Sequence, residues 1–210
     1  MPGGCERHER LLAEKRRVFG AEHPETLTAM LDLAGCLWAQ GRLISARKLE
    51  EQVVAVRRHR LGEKHFDTLK AIGKLAVTMA AQGDLAEARL LQERVLSGMR
   101  ELHGDTGLET LRAINNLAGT VSAQGDFETA RELLETVVAT SCREFGEQHA
   151  DSLAAMGNLS AILWQQGDRG EAYALQQHVV ETLRRVRGDG DQATGAAAQV
   201  LEIMERDAGF

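Results

Sequence analysis

Gln40-Gly41-Arg42-Leu43-Ile44-Ser45-Ala46 decides the fold, because the chain carries four versions of it. Its glycine returns as Gly83, Gly125 and Gly167 at a constant interval of 42 residues, preceded each time by a glutamine (Gln82, Gln124, Gln166). The later copies continue with Asp84, Asp126 and Asp168 where the first has Arg42. All four place an alanine four residues beyond, at Ala46, Ala88, Ala130 and Ala172. An interval held three times without insertion is the mark of a repeat array, whose units bury their apolar faces against one another.

Apolar residues on either side of the turn follow a helical period. In the first unit Leu27, Met30, Leu31, Ala34, Leu37 and Trp38 recur at steps of three and four, which places them on one stripe, helix A. After Gly41 the run Ala46, Leu49, Val53 and Val56 repeats the pattern up to Leu61, helix B. The other units copy it, with Leu69, Ile72, Leu75, Ala76 and Met79 before Gly83, Leu111, Ile114, Leu117, Ala118 and Val121 before Gly125, and Leu153, Met156, Leu159, Ser160 and Leu163 before Gly167. Glycine just past helix A can take the left-handed conformation that ends a helix. Asp84, Asp126 and Asp168 stand where an N-cap for helix B belongs, with Glu87 and Glu171 placed to complete capping boxes; Arg42 offers no such cap. Pro24 suits the first turn of helix A, and Glu25, Asp67, Glu109 and Asp151 put an acid at its positive end. Small residues at Ala34, Ala76, Ala118 and Ser160 on helix A, and at the four alanines of helix B, mark where two helices approach closely.

The units open at Gly20, Gly62, Gly104 and Gly146, which divides the chain into repeats at 20–61, 62–103, 104–145 and 146–187. Before them, 1–19 reads as half a repeat: a helix from Glu6 to Phe19 with Leu11, Leu12, Val18 and Phe19 as its apolar positions. After them, 188–210 begins a fifth unit that fails early, and Ala196 to Arg206 reads as a capping helix with Val200, Leu201, Ile203 and Met204 apolar. Eight aromatics (5 Phe, 2 Trp, 1 Tyr) and two prolines argue for helices over strands, so the expected class is all-α.

A net charge of −6 gives the whole molecule no general attraction to nucleic acid or anionic lipid. Cys5, Cys36 and Cys142 are odd in number and form no CxxC pair, which predicts free thiols in a reducing compartment, the cytoplasm. The opening Met1 to Arg7 lacks an apolar leader core, and no apolar run reaches the roughly 18–20 residues that span a bilayer.

With helix pair, small residues and Gly-Asp turn in view, the chain resembles tetratricopeptide repeats. Leu117-Ala118, Gly125-Asp126-Phe127 and Ala130 stand where that motif has Leu-Gly, Gly-Asp-Tyr and Ala. The usual period is about 34. The longer one here, with Phe19-Gly20-Ala21-Glu22-His23-Pro24-Glu25-Thr26-Leu27 and Asn115-Asn116-Leu117-Ala118, looks like the kinesin light chain type. The resemblance implies a right-handed α-α superhelix, a solenoid of about four full repeats with a half repeat at each end. It also implies a non-enzymatic scaffold that binds a peptide segment of a partner protein in a concave groove lined by helices A. Arrays of this type in bacteria are often fused to, or regulate, NTPase or caspase-like effectors, so a regulatory subunit is one alternative and a self-assembly module pairing through repeat ends is another. Asp32 and Lys74 replace the asparagine that such repeats tend to carry at the phase of Asn116 and Asn158.

The family's groove positions fall on Thr28, Asp32, Gly35 and Trp38; Lys70, Lys74 and Val77; Arg112, Asn115, Asn116 and Gly119; and Ala154, Asn158, Ala161, Trp164 and Gln165. The two tryptophans share one phase of the repeat, and Lys70, Lys74 and Arg112 stand between them flanked by amides. Amides can hold a peptide backbone by paired donors and acceptors, and cations suit acidic groups.

Other chemistry reads as structural. His23, His65 and His149 share one phase, so each sits at its own turn and they cannot converge on one metal ion. His59, His103 and His178 with Cys142 lack an orienting third group for catalysis. Gly188-Asp189-Gly190-Asp191 starts like a calcium loop, but its twelfth position is Val200 and not glutamate. The clusters Arg57-Arg58-His59-Arg60 and Arg184-Arg185-Val186-Arg187 fall near helix B C-termini, where cations favour the dipole. No cofactor, metal or nucleic acid is expected.

Overall fold

The computed structural model describes residues 3–208, so Met1, Pro2, Gly209 and Phe210, which the half-repeat assignments include, lie outside the described residues. The described residues form ten helices and no strand: α1 (Gly3–Phe19), α2 (Pro24–Ala39), α3 (Leu43–Leu61), α4 (Phe66–Ala81), α5 (Leu85–His103), α6 (Leu108–Ala123), α7 (Phe127–Phe145), α8 (Ala150–Gln166), α9 (Arg169–Arg187) and α10 (Gln192–Ala208). Helices A are thus α2, α4, α6 and α8, and helices B are α3, α5, α7 and α9.

Contacts divide the chain into two units, Met1–Leu102 and His103–Phe210. In the first, α1 packs on α2, α2 on α3 and α3 on α4. There α5 closes on α4 through Gly98, where an added Cβ would lie 2.5 Å from Leu69 Cδ1. In the second, α6 to α10 pack each on the next, and the two helices A, α6 and α8, also touch. Consecutive helices packed in this way form a tetratricopeptide-type solenoid.

The small residues do what the pattern asks. Ala34, Ala76, Ala118, Ser160, Ala46, Ala88, Ala130 and Ala172 are all fully buried, and the Ser160 hydroxyl donates to the Ala172 carbonyl at 2.8 Å. Gly41, Gly83, Gly125 and Gly167 take φ values of 74°, 93°, 90° and 93°, the left-handed region that a Cβ disfavours. The inter-repeat turns carry a further lock. Thr26, Thr110 and Ser152, in one phase and fully buried, donate to the carbonyls of Gly20, Gly104 and Gly146 at 2.7, 2.7 and 2.9 Å. The histidines are N-caps: Nδ1 of His23, His65 and His149 accepts from the backbone N–H of Glu25, Asp67 and Asp151.

Four expectations change. Asp126 caps α7 by accepting from Thr129 N–H at 3.1 Å, but Asp168 makes no cap bond to α9. Its carboxylate instead takes Arg131 of the preceding helix B at 2.7 Å, while the Gln166 amide oxygen accepts from the same guanidinium at 3.4 Å. Arg47 does the same to Asp84 (2.6 Å) and Gln82 (2.9 Å). The Gln-Gly-Asp turn is therefore a receptor for an arginine one repeat back as well as a hinge.

The second change concerns the thiols. Cys5 and Cys36 form a disulfide joining α1 to α2, with their Cα atoms 5.7 Å apart, and only Cys142 is free. Cys5 occupies the phase of Arg47 and Arg131, and Arg42 that of the accepting aspartate, so a covalent link stands where the arginine clamp is absent. A bonded pair lends no support to a reducing compartment. Third, α1 buries Leu12 but leaves Leu11, Val18 and Phe19 exposed. Fourth, α10 buries Met204 alone of its expected apolar set, with Val200 and Ile203 exposed. No helix of the described residues is long and apolar enough to cross a membrane.

Candidate functional site

The expected groove residues lie on the outward face of helices A because the core takes the other stripe. In the first unit Thr28, Asp32 and Gly35 of α2, and Lys70 and Lys74 of α4, are exposed. Trp38 is 43% exposed at the end of α2. Lys70 Nζ sits 5.2 Å from the centre of the Phe66 ring, a cation–π distance. Lys74 is not an isolated cation. Glu50 of α3 lies beneath it, 3% exposed. Burial raises the Glu50 carboxyl above its ordinary range, against the opposing pull of the Thr78 hydroxyl and the Lys74 ammonium.

In the second unit the structure brings Arg112, Asn115 and Asn116 of α6 together with Asp151 and Ala154 of α8 around a cavity of about 210 Å³. Arg112 is not the waiting cation that the sequence suggests. Its Nε and Nη2 donate to the two oxygens of Asp151 at 2.6 and 2.9 Å, and its Nη1 to Glu109 at 3.1 Å. The bond to Asp151 raises the guanidinium and holds the Asp151 carboxyl below its ordinary range. Asp151 was legible only as a dipole acid; the stacking of α8 beside α6 turns it into a partner for Arg112. The amides also meet each other, Asn158 Nδ2 donating to Asn115 Oδ1 at 3.0 Å. Asn116 and Gln165 are exposed.

The two tryptophans differ in surroundings although they share a phase. Trp164 is half-buried, with the Arg169 guanidinium 5.2 Å from its ring. Two further cavities contain residues the sequence reading left out. One of about 640 Å³ lies along α5 and is lined by Leu90, Leu91 and Arg94, outside the helix A face. The other, of about 390 Å³, lies between α8 and α10 and shares Ala154, Asn158 and Ala161 with the expected face. Four arginines of the two clusters are engaged within the chain: Arg57 with the Asp67 carbonyl, Arg58 with Glu63, Arg60 with Glu22 and Arg184 with Asp189. No group of three or more metal-ligating side chains occurs among the described residues.

The tetratricopeptide repeat family model matches residues 3–59, 67–143 and 109–185. Kinesin light chain nearly identical TPR-like repeats from Podosopora anserina are 29% identical, covering 87% of this chain and 87% of that one, with a TM-score of 0.62. BtubC (BKLC) from P. vanneervenii is 20% identical over 98% of this chain and 83% of that one, with a TM-score of 0.73. A Rap protein complexed with competence and sporulation factor is 12% identical over 96% of this chain and 59% of that one, also at 0.73, a likeness of fold alone. No curated protein matches the chain. Matched by the family model over most of its length, the chain belongs to the tetratricopeptide repeat family, with repeats of the kinesin light chain type.

Proposed function

We propose that this protein is a non-enzymatic scaffold that binds a peptide segment of a partner protein on the exposed face of its helices A. The observation that carries the reading is the cluster in the second unit, where Arg112, Asn115, Asn116 and Asp151 surround a cavity of about 210 Å³. Exposed amides beside a neutralised arginine suit a peptide backbone better than a strongly acidic ligand, because the Asp151 and Glu109 carboxylates already satisfy the guanidinium. In the first unit Asp32, Trp38, Lys70 and Lys74 supply a more charged face with one large aromatic anchor. Trp164 and Gln165 complete the set on α8. The Rap protein, alike in fold, is complexed with competence and sporulation factor, and that likeness supports a binding reading.

Selection of binders from a displayed random peptide library, followed by titration of the winners against Asn116→Ala with Asn158→Ala, tests the assignment. A loss of at least tenfold is expected; unchanged affinity removes the helix A face from consideration. A second reading, assembly through a repeat end or docking on an effector subunit, draws support from the exposed Val200 and Ile203 of α10. Sedimentation over a range of concentrations separates self-assembly from peptide binding, since a monomer throughout removes it. The Cys5–Cys36 bond removes the free-thiol argument for a cytoplasmic location.

A further inference from the structure

We propose that the cavity between α8 and α10, floored by α9, is a binding pocket for an extended peptide segment carrying an aliphatic side chain and, a few residues away, a carboxylate. The inference rests on the peptide-binding reading and names what one interval of that face would take.

The cavity holds about 390 Å³, within the usual size range of ligand pockets. The same interval one repeat earlier, between α6 and α8, holds only about 210 Å³. The sequence phase explains the difference. Arg112, Asn115 and Asp151, which fill the earlier interval, correspond to Ala154, Gly157 and Ala193 in this one. The bridge that ties α6 to α8 is thus replaced by two methyl groups, and the space it would occupy is left open over walls of Leu153, Val179 and Leu183.

Two polar groups aim at that space. Gln176 of α9 is 2% exposed; its Nε2 donates to the Ala197 carbonyl at 2.8 Å, while its Oε1 has no partner. A Cβ at Gly157 would lie 3.9 Å from this oxygen, and with glycine there no side chain stands at that position between it and the cavity. Packing does not require the amide, because Leu134 fills the same phase of α7 fully buried. An unpaired buried acceptor is unfavourable, and a ligand N–H removes that penalty. Arg187 lines the same cavity. Its nearest carboxylate, Asp191, is 3.8 Å away, and that oxygen already accepts from the N–H groups of Ala193 and Thr194 at the start of α10. The guanidinium therefore retains donors for an incoming carboxylate. Gln176 and Arg187 stand eleven residues apart on α9, about 16 Å along the axis. An extended chain rises about 3.3 Å per residue, so a segment of about five residues reaches from one to the other with its aliphatic side chain between the alanines.

The experiment titrates the full chain with the blocked peptide acetyl-Ser-Leu-Gly-Ser-Glu-amide, its reversed sequence, matched peptides with Leu→Ala or Glu→Gln, and octanoate. The readout is the methyl resonances of Val179, Leu183 and Val200. Saturable shifts are expected with one of the two parent sequences and at least tenfold weaker binding with both substituted peptides. Ala154→Arg together with Ala193→Asp rebuilds the earlier bridge and should weaken binding at least tenfold. Gln176→Leu, which copies the leucine found at this phase in α7, should weaken it at least threefold at unchanged Tm. The proposal is overturned if neither parent peptide moves these methyls, if only octanoate does, or if the rebuilt bridge leaves affinity unchanged. Asn116→Ala, which lies outside this cavity, reads the wider assignment separately. If it weakens the library-selected peptides while the α8–α10 methyls stay unmoved, only the present inference fails.

Discussion

Reducing the Cys5–Cys36 disulfide should release α1 while leaving the rest of the chain folded. The link closes a loop with a sequence separation of 31, and the chain-entropy relation assigns a loop of that length about 3.7 kcal/mol. Besides the link, α1 is held to α2 by Leu12, its one buried hydrophobic side chain other than Cys5 among the described residues, and by the Lys15–Glu25 pair, while Leu11, Val18 and Phe19 are exposed. It also lacks the arginine clamp by which α3 and α7 grip the Gln-Gly-Asp turn of the next repeat. In a repeat array stability is a sum over neighbours, so the loss stays local and does not spread through the array. Amide hydrogen exchange followed by mass spectrometry is the assay. With a reductant, or in Cys5→Ser with Cys36→Ser, the amides of α1 should exchange faster by roughly 10²–10³-fold, the equivalent of about 3–4 kcal/mol, while those of α8 stay within about twofold. Equal protection of α1 in the oxidised and reduced chain would refute the reasoning, and uniform loss across all helices would refute its locality.

Glu50→Gln should stabilise the protein at neutral pH and change little below about pH 4. Burial raises the Glu50 carboxyl, so its favourable contribution is complete below the unfolded value and disappears as pH rises through the folded one. Glutamine already occupies this phase at Gln92 and Gln176, and urea midpoints at the two pH values give the comparison. Asp151 has the opposite sign. Arg112 lowers its carboxyl, so its contribution is present above the unfolded value and is lost as pH falls through the folded one; Asp151→Asn should flatten the acid limb of a stability profile. Ala118→Leu places a large side chain at a fully buried helix contact and should cost about 1–3 kcal/mol by overpacking, seen as a lower denaturant midpoint with an unchanged slope.

Much of the architecture was legible because a repeat states each rule several times. The left-handed glycines and buried alanines needed no tertiary information: a positive φ excludes a Cβ, and a close helix contact excludes a long side chain, wherever either occurs. The arginine clamp left a signal that could have been read, since Arg47 and Arg131 stand one fixed step from the Asp84 and Asp168 they hold. Cys5 falls in that same arginine phase, which was the clue that the thiols had replaced a cross-helix contact. The candidate face was legible as a set of positions but not as chemistry. Arg112 looked like an available cation until Asp151 arrived from the next helix A, and Asn115 and Asn158 looked like two ligand contacts until they met each other.

By itself, the sequence determined the helices, their pairing and the turns, because period, glycine conformation and side-chain size act locally or between immediate neighbours. Only the tertiary structure decided which charges are available. The Arg112–Asp151 and Arg131–Asp168 pairs join residues 37 to 39 positions apart, and helix stacking is what brings them within bonding distance. The same stacking put Cys5 against Cys36 and left Gln176 buried with an unanswered oxygen, because a phase in the repeat fixes a position but not the partner that faces it.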